Sequence, residues 1–596
     1  MNPLAAAAIE SSSDGASNAP RPPSSSSLSR RNWSPRPLGP RDVTIGIDVG
    51  TQGTKALLYR PAHPPRVLGR ASVKYGLSPN PADAPPGRAE QDPAVWEEAV
   101  RSCLEELGRD FNLSGSDDDE GASAGEGEGE ITWNLRGVGV SGQQHGMVPL
   151  DSSLRPIRDA KLWCDVEASD QALEFSRRAT MVMSREWSVT AAFTAPKVMW
   201  MREEEPENWD RVRWVVLPHD YVNLFLRGAT EGKRGEERIE IVPTTDAGDA
   251  SGTGVLDPET REYVPALADV VDPTGRYLRS LPRILSPGDV AGFLCDDIRM
   301  ALGVVVNDEV PISVGSGDNM CSALGVGCVD PGSAVLSLGT SGTVFGVSDS
   351  AVATGTSVAP FCDASGRHLP LVCVMSCAGV LQSVLDDFCG GIGHDEATEL
   401  AEACPPGCEG LTFLPYLGGE RTPDWPRATG ALLGLNRDNT DCTAAGGRPG
   451  LIYRAALEGL TYLLADALRS MEAACGGGGG DSDGGSDGAG FQPTSLLVVG
   501  GGSKNRLWRT IIADVLGVEL RFPREAESAA LGAALQAGAA ASGTDVGEFV
   551  RWVRRGIDDV EEEVVTPTTD EGAVELYQVA LGRYRDWSRR LFADGR

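Results

Sequence analysis

Two short Gly/Thr turns are the places where this chain could do chemistry. Gly50-Thr51-Gln52-Gly53-Thr54 follows the alternating run Val43–Val49, and Gly339-Thr340-Ser341-Gly342-Thr343 follows Ala334–Leu338. The copies are displaced by 289 residues (339 − 50). In each, glycines let backbone N–H groups approach an anion, and the hydroxyls add donors. A single copy reads as an ordinary tight hairpin. Two matched copies could grip a polyphosphate from both sides. Asp48 precedes the first turn, whereas the second copy has Ser337-Leu338 there. A carboxylate beside a phosphate loop is costly unless a divalent cation lies between them, so Asp48 is a candidate ligand of hydrated Mg²⁺.

Other segments present polar groups at the ends of apolar runs. Pro311–Val314 leads through Gly315-Ser-Gly317 to Asp318-Asn319. Such an acid suits a general base that must reach a hydroxyl, and it equally suits a helix N-cap. Val138-Gly-Val-Ser-Gly142 delivers Gln143, Gln144 and His145 into a Gly-flanked loop. That loop is either structural or a dense set of neutral donors and acceptors for a polyol. Leu496–Val499 runs into Gly500-Gly501-Gly502-Ser-Lys-Asn505 and a helix, where backbone can come close to a flat or anionic ligand. The glycine spacing there is neither a dinucleotide fingerprint nor a Walker loop. The small-residue run Ser528–Leu535 reads as close backbone packing or as a ligand shelf.

These groups need a scaffold, and the repeat supplies one. A 289-residue displacement is no solenoid period; it implies two similar lobes, each opening with a Gly/Thr hairpin. Between them strands alternate with amphipathic helices, as in α/β domains. Helices are expected over Ala94–Leu107 and Leu451–Ala474, and strands over Gly137–Ser141 and Ser495–Val499. Residues 112–130 carry seven acids and no base, and 476–490 carry three acids and no base, so both read as solvated insertions. Residues 1–41, with five Arg and only Glu10 and Asp14 as acids, read as a disordered extension. Their composition partly resembles an organelle-import segment.

Composition excludes several classes. With 53 Lys+Arg against 85 Asp+Glu, the net charge is −32, which argues against nucleic acid and anionic membrane surfaces as partners. No uninterrupted apolar stretch is long enough to span a bilayer. The thirteen Cys include no Cys-x-x-Cys pair and fit free thiols in a reducing, cytoplasmic setting. A zinc site at the nearest pairs, Cys373/Cys377 and Cys404/Cys408, is disfavoured because no His accompanies them. Nothing in the sequence separates a monomer from a homodimer.

In order along the chain, Asp48-Val-Gly-Thr51, Gly142-Gln-Gln-His-Gly146, Gly317-Asp-Asn319, Ser337-Leu-Gly-Thr-Ser-Gly342 and Gly500-Gly-Gly-Ser-Lys-Asn505 resemble the FGGY carbohydrate kinases. Phe193-Thr-Ala-Pro-Lys197, Leu217-Pro-His-Asp-Tyr221, Asp249-Ala-Ser-Gly-Thr253 and Gly419-Glu-Arg-Thr-Pro423 strengthen the resemblance, which is greatest to members acting on D-xylulose. It implies an α/β fold of two ribonuclease-H-like (actin-like ATPase) lobes flanking a catalytic cleft. Residues 42–325 would form the sugar-binding lobe and 326–596 the ATP-binding lobe. The implied reaction is ATP- and Mg²⁺-dependent phosphorylation of D-xylulose to D-xylulose 5-phosphate. Asp318 would be the base, with Gln144, His145 and Asn319 lining the sugar pocket. Asp48 would face the metal, and Thr51, Gln52 and Thr54 the phosphate end with Gly339, Thr340, Ser341 and Gly342. Gly501, Gly502 and Asn505 would contact the nucleoside. The alternatives are a kinase of another ketose or polyol (ribulose, xylitol, glycerol) and a non-catalytic sensor.

Three departures from the family pattern bear on sugar preference. Gln143-Gln144 replaces a common Gln-Met, Cys164 and Glu167 stand where Asn and a base are frequent, and Ser316 interrupts a glycine triplet.

Overall fold

The alternation that begins at Val43 forms strand β1 (Asp42–Val49), whose Val43, Ile45, Ile47 and Val49 are fully buried. At roughly 1.5–3 kcal/mol per such side chain, these four contribute on the order of 6–12 kcal/mol against chain entropy. β1 turns back into β2 (Gly53–Arg60), with Val49 opposite Thr54, and β2 pairs with antiparallel β3 (Arg66–Lys74). On its other side β1 runs parallel to β4 (Thr132–Gly142). β5 (Val290–Phe293) and β6 (Pro311–Ser313) complete the order β5-β6-β4-β1-β2-β3. This computed structural model describes residues 34–80, 87–114, 131–230, 241–304, 309–353, 357–440, 446–475, 491–555 and 563–593.

A second sheet is built from β7 (Ala334–Leu338), β8 (Gly342–Gly346), β9 (Ala359–Cys362), β10 (His368–Val374), β11 (Ser495–Val499), β12 (Glu519–Phe522) and β13 (Glu563–Val565). Its order is β9-β10-β8-β7-β11-β12-β13. Apart from the edge strand β9, it repeats the six-strand path of the first sheet, which has two further short strands beside β4. Two antiparallel pairings are followed by two parallel ones and a final antiparallel one. The repeated turns therefore mark two ribonuclease-H-like lobes, as the sequence implied.

Helices cover both sheets. α1 (Pro93–Asp110) starts with Asp92 capping the Ala94 N–H and proline at its first position. Its Trp96, Val100, Cys103, Leu104 and Leu107 form one buried stripe. α2 (Thr194–Glu204), α3 (Pro218–Leu226) and α4 (Asp318–Gly325) belong to the first lobe. In the second lobe, α5 (His394–Glu402) packs on α6 (Gly447–Cys475), which is buried along most of its length, and α7 (Arg506–Leu516) follows β11.

The small-residue run forms α8 (Ser528–Ser542), which lies on β1 and β4 of the first sheet and crosses α4. A Cβ on Gly46 would sit 1.8 Å from Ala530 O, one on Gly139 2.0 Å from Ala533 O, and one on Gly532 1.7 Å from Cys321 O. The run is thus backbone packing between the lobes, and not a ligand shelf.

Two sequence boundaries shift. Residues 112–114 form a short strand beside β4, with Leu113 buried, so the first insertion starts later than composition suggested. The rest of that insertion, all of 476–490 and residues 1–33 lie outside the described residues. The last part of the expected extension is held: Arg36 N–H donates to Ala541 O at 3.2 Å, and its guanidinium pairs with Asp42 at 2.9 Å.

Candidate active site

Parallel strands end together, and their carboxyl ends gather the polar segments. Val49 is in register with Gly142 across β1 and β4, and Gly317 pairs with Gly142 through the short strand Ser316–Gly317. The chain therefore leaves the sheet at Gly50, Gln143 and Asp318 side by side. In the second lobe Ser337 is in register with Val499, so Gly339 and Gly500 also leave together. Clefts of open α/β sheets lie at such ends.

Asp318 occupies the first position of α4 with Gly317 as the cap, so it is not an N-cap residue. Its Oδ1 accepts the Asn319 N–H (2.8 Å) and side-chain amide (3.1 Å). Asn319 Nδ2 also donates to Gln144 Oε1 at 2.7 Å, which joins three of the expected sugar residues. Asp318 keeps a partly open edge, yet its pKa is pushed up to about 7, by burial first and then by the charges of Asp48 and Asp249. Asp48 is raised to about 6, again by burial first, while a hydrogen bond from Ser141 Oγ (2.9 Å) and the Lys55 charge oppose the rise. Asp48 is thus a half-buried carboxylate beside the first turn, whose charge helps to raise Asp318, and a carboxylate so placed fits a divalent cation.

The loop carrying His145 is held from several directions. The His145 backbone is left-handed (φ 64°), and its ring stacks on Phe193 at 5.0 Å with Phe361 tilted against it at 5.3 Å. Its Nδ1 is buried against Gly252 without a hydrogen-bond partner. Burial, reinforced by the charges of Lys197 and Arg421, holds its pKa well below the ordinary value, so the ring is neutral. The His145 carbonyl accepts from Thr194 Oγ1 (3.2 Å) and Lys197 Nζ (3.3 Å). Lys197 is fully buried and also donates to the Ala192 and Phe193 carbonyls; burial lowers its pKa to about 7.

The first hairpin behaves less simply than expected. Thr51 Oγ1 donates to Gln143 Oε1 (2.8 Å) and accepts from Trp163 Nε1 (3.0 Å), which ties the first Gly/Thr turn to the Gln143–His145 loop. Thr54 is buried, with its hydroxyl 3.1 Å from Tyr75 OH, so it braces the turn and does not line the cleft. Gln52 is exposed at the tip. In the second hairpin the Gly339 and Thr340 carbonyls accept the Ala378 and Gly379 N–H groups, while Thr340 is exposed, Ser341 half-buried and Gly342 buried.

Gly501, Gly502 and Asn505 line a cavity of about 630 Å³ with His394, Thr398 and Tyr453. Asn505 caps α7 by accepting the Trp508 N–H at 3.0 Å, and its amide donates to Thr398 Oγ1 at 2.9 Å. A Cβ on Gly501 would meet nothing within 4 Å, so that backbone faces open space.

The departing residues find partners. Among the described residues, the carboxylate group with metal-like spacing is Glu90, Asp165 and Glu167. Lys161 Nζ fills it, 3.1 Å from Glu90, 3.2 Å from Asp165 and in contact with Glu167, so it is an ion-pair network and not a metal centre. Ser316 donates to Asp246 Oδ2 at 2.8 Å. The twelve described cysteines are free thiols. Among the described residues no helix is long and apolar enough to cross a membrane.

Sequence reasoning gave no roles to Lys197, His219, Asp249 or Phe361. The first three lie in the stretches that carried the resemblance. Phe361 had no signal, because it reaches His145 from the other lobe.

Comparison with known proteins adds three findings. The family model for the N-terminal domain of the FGGY family of carbohydrate kinases matches residues 43–325, and that for the C-terminal domain matches 334–541. A xylulose kinase of Streptomyces rubiginosus is 35% identical over 517 residues, 85% of this chain and 90% of its own; that of Haemophilus influenzae is 32% identical over 499 residues, 83% and 90%. The crystal structure of xylulose kinase from Bifidobacterium adolescentis superposes with a TM-score of 0.69 at 27% identity, covering 91% of this chain and 99% of that one.

Proposed function

The chain belongs to the FGGY family of carbohydrate kinases, and within it we propose that it transfers the γ-phosphoryl of ATP to D-xylulose, giving D-xylulose 5-phosphate. The observation that carries this reading is Asp318. It is a half-buried carboxylate at a strand end, pinned through Oδ1 by Asn319, with a pKa of about 7 that suits proton abstraction near neutrality. Its second oxygen takes the proton of the sugar's terminal hydroxyl as that oxygen attacks the γ-phosphorus. The new O–P bond forms as the bond to the ADP oxygen breaks, and the proton later leaves to water.

Gln144, Asn319 and neutral His145 orient the sugar hydroxyls. Backbone N–H groups of the Gly339–Gly342 turn, with those around Thr51–Gly53, receive the phosphate oxygens without reorganising. The nucleoside occupies the cavity of Gly501, Gly502 and Asn505. A divalent cation held at Asp48 would supply neutralising charge to the phosphates. Lobe closure excludes water from the transfer.

The test is ADP release with D-xylulose, D-ribulose, xylitol and glycerol, compared as kcat/KM. D-xylulose is expected to exceed the others by at least about tenfold, a margin of roughly 1.4 kcal/mol. A larger value for another compound overturns the substrate assignment.

A further inference from the structure

His219 has no part in the reaction set out above, yet three separate pieces of the sugar end close on it. It is the second residue of α3 and has no exposed surface. From the Gln143–His145 side, a Cβ on Gly142 would lie 2.8 Å from His219 N, and one on Gly146 2.6 Å from Pro218 Cγ. From the Asp318 side, a Cβ on Gly315 would lie 2.8 Å from His219 Cδ2, and Asn223 Nδ2 donates to Val314 O at 2.7 Å. From a third segment, Asp249 Oδ2 lies 2.6 Å from His219 Nδ1.

The third segment is also tied to the base. Asp246 accepts the Asp249 N–H at 2.9 Å and, through its other oxygen, the hydroxyl of Ser316, two residues before Asp318. Asp220 Oδ1 lies 3.1 Å from His219 Nε2, an ion-pair distance without hydrogen-bond alignment, while its Oδ2 accepts the Leu217 N–H. Burial by itself favours a neutral ring, but the surrounding carboxylates of Asp220, Asp249 and Asp246 outweigh it and favour the imidazolium.

We propose that His219 is the positioning residue of the sugar site: with its backbone and Cβ against Gly142, its ring against Gly315 and its Nδ1 anchored on Asp249, it sets the distance between the Gln144–His145 loop and Asp318. The effect on turnover rests on the sugar-kinase reading; the contact itself does not.

The test uses His219→Gln in the full chain. Hydrogen exchange without substrates is expected to rise about tenfold in peptides covering 142–146 and 314–319, and to stay unchanged over 334–346. With substrates, kcat/KM for the sugar falls about 100-fold, the effect of an ångström-scale misplacement, while KM for ATP stays within about twofold. A purely structural role would lower the melting temperature and leave the ratio of sugar to ATP parameters as in the wild type. Wild-type exchange in either loop, or wild-type kcat/KM, overturns the proposal. If His219→Gln does not fold, Asp249→Asn supplies the same comparison under the same criteria. Failure of the wild-type protein to turn over any sugar would sink the substrate reading and leave the exchange result standing.

Discussion

Asp318→Asn should remove activity and add stability together, and both changes follow from one number. A carboxyl pKa raised from 3.8 to about 7 makes ionisation in place ~4 kcal/mol harder than in water, at about 1.4 kcal/mol per unit. Asp318 keeps an open edge on the cleft, so screening reduces this to roughly 2 kcal/mol. Between pH 3.8 and about 7 the folded state holds a proton that the unfolded chain has lost. Stability conferred by this group therefore falls as pH rises through that window. Asparagine keeps the acceptor for the Asn319 N–H and has no charge to bury, so its stability curve should be flatter there and higher at pH 8. The same substitution deletes the proposed base, a role worth about 10²–10⁴ in turnover, or ~3–5.5 kcal/mol. Coupled ADP release gives kcat, and urea midpoints at pH 5 and pH 8 give the stability difference. In the wild type, kcat/KM should rise with pH and level off above about 7. A variant with kcat within tenfold of wild type refutes the base assignment. One that loses activity and is also less stable at pH 8 refutes the electrostatic account of it.

Three further outcomes follow from the same structure. Asp48→Asn should raise the Mg²⁺ concentration for half-maximal activity by on the order of tenfold. It should also move the acid limb of kcat/KM to lower pH, since the Asp48 charge helps to raise Asp318; an unchanged Mg²⁺ titration would remove Asp48 as the ligand. His219, raised from 6.5 to about 9 although burial opposes this, contributes stability that is complete below pH 6.5 and lost as pH rises through about 9. Urea midpoints between pH 6.5 and 9.5 should fall more in the wild type than in His219→Gln, and parallel curves would contradict the charged ring. Gly532→Ala puts a methyl carbon 1.7 Å from the Cys321 carbonyl oxygen, so it should cost roughly 2–3 kcal/mol by overpacking. A urea midpoint equal to wild type would mean that α4 and α8 do not cross that closely.

The two-lobed fold was legible because duplication leaves a mark that needs no third dimension. Gly50–Thr54 and Gly339–Thr343 repeat at the heads of sheets that share a six-strand path of the same order and direction. The grouping of Asp318, Asn319 and Gln144 was legible for a related reason: each follows an apolar strand, and parallel strands deliver their ends to one place. What the sequence could not show was how side chains are consumed by local contacts. Thr54 has the composition of a phosphate ligand, but its hydroxyl is taken by Tyr75. Glu167 departs from the family pattern, but Lys161 is there to meet it. Phe361 lies 216 residues (361 − 145) from the ring it packs against, and no periodicity records a contact made by the folding of one lobe on another.

The net charge of −32 bears on how such a protein holds a polyanion. In the proposed reading, three lysines around the first turn and the sugar loop are already engaged. Lys55, beside the first turn, is paired with Glu527 at 2.5 Å; Lys197 is spent on three carbonyls; Lys161 is enclosed by three carboxylates. Beside the first turn, backbone N–H and whatever cation Asp48 holds supply positive potential, while Lys504 and Arg506 line the cavity of Gly501, Gly502 and Asn505. That arrangement has a consequence for Asp318. A lysine or arginine fixed beside it would pull its pKa down towards the ordinary carboxylate range and weaken it as a base. With carboxylates as its charged neighbours it stays near 7. Asp249, one of those neighbours, is itself tied to the buried imidazole of His219. In the proposed reading the acidity of the site is therefore part of how it would work: it would keep Asp318 basic, while backbone amides of the turns would receive the phosphates.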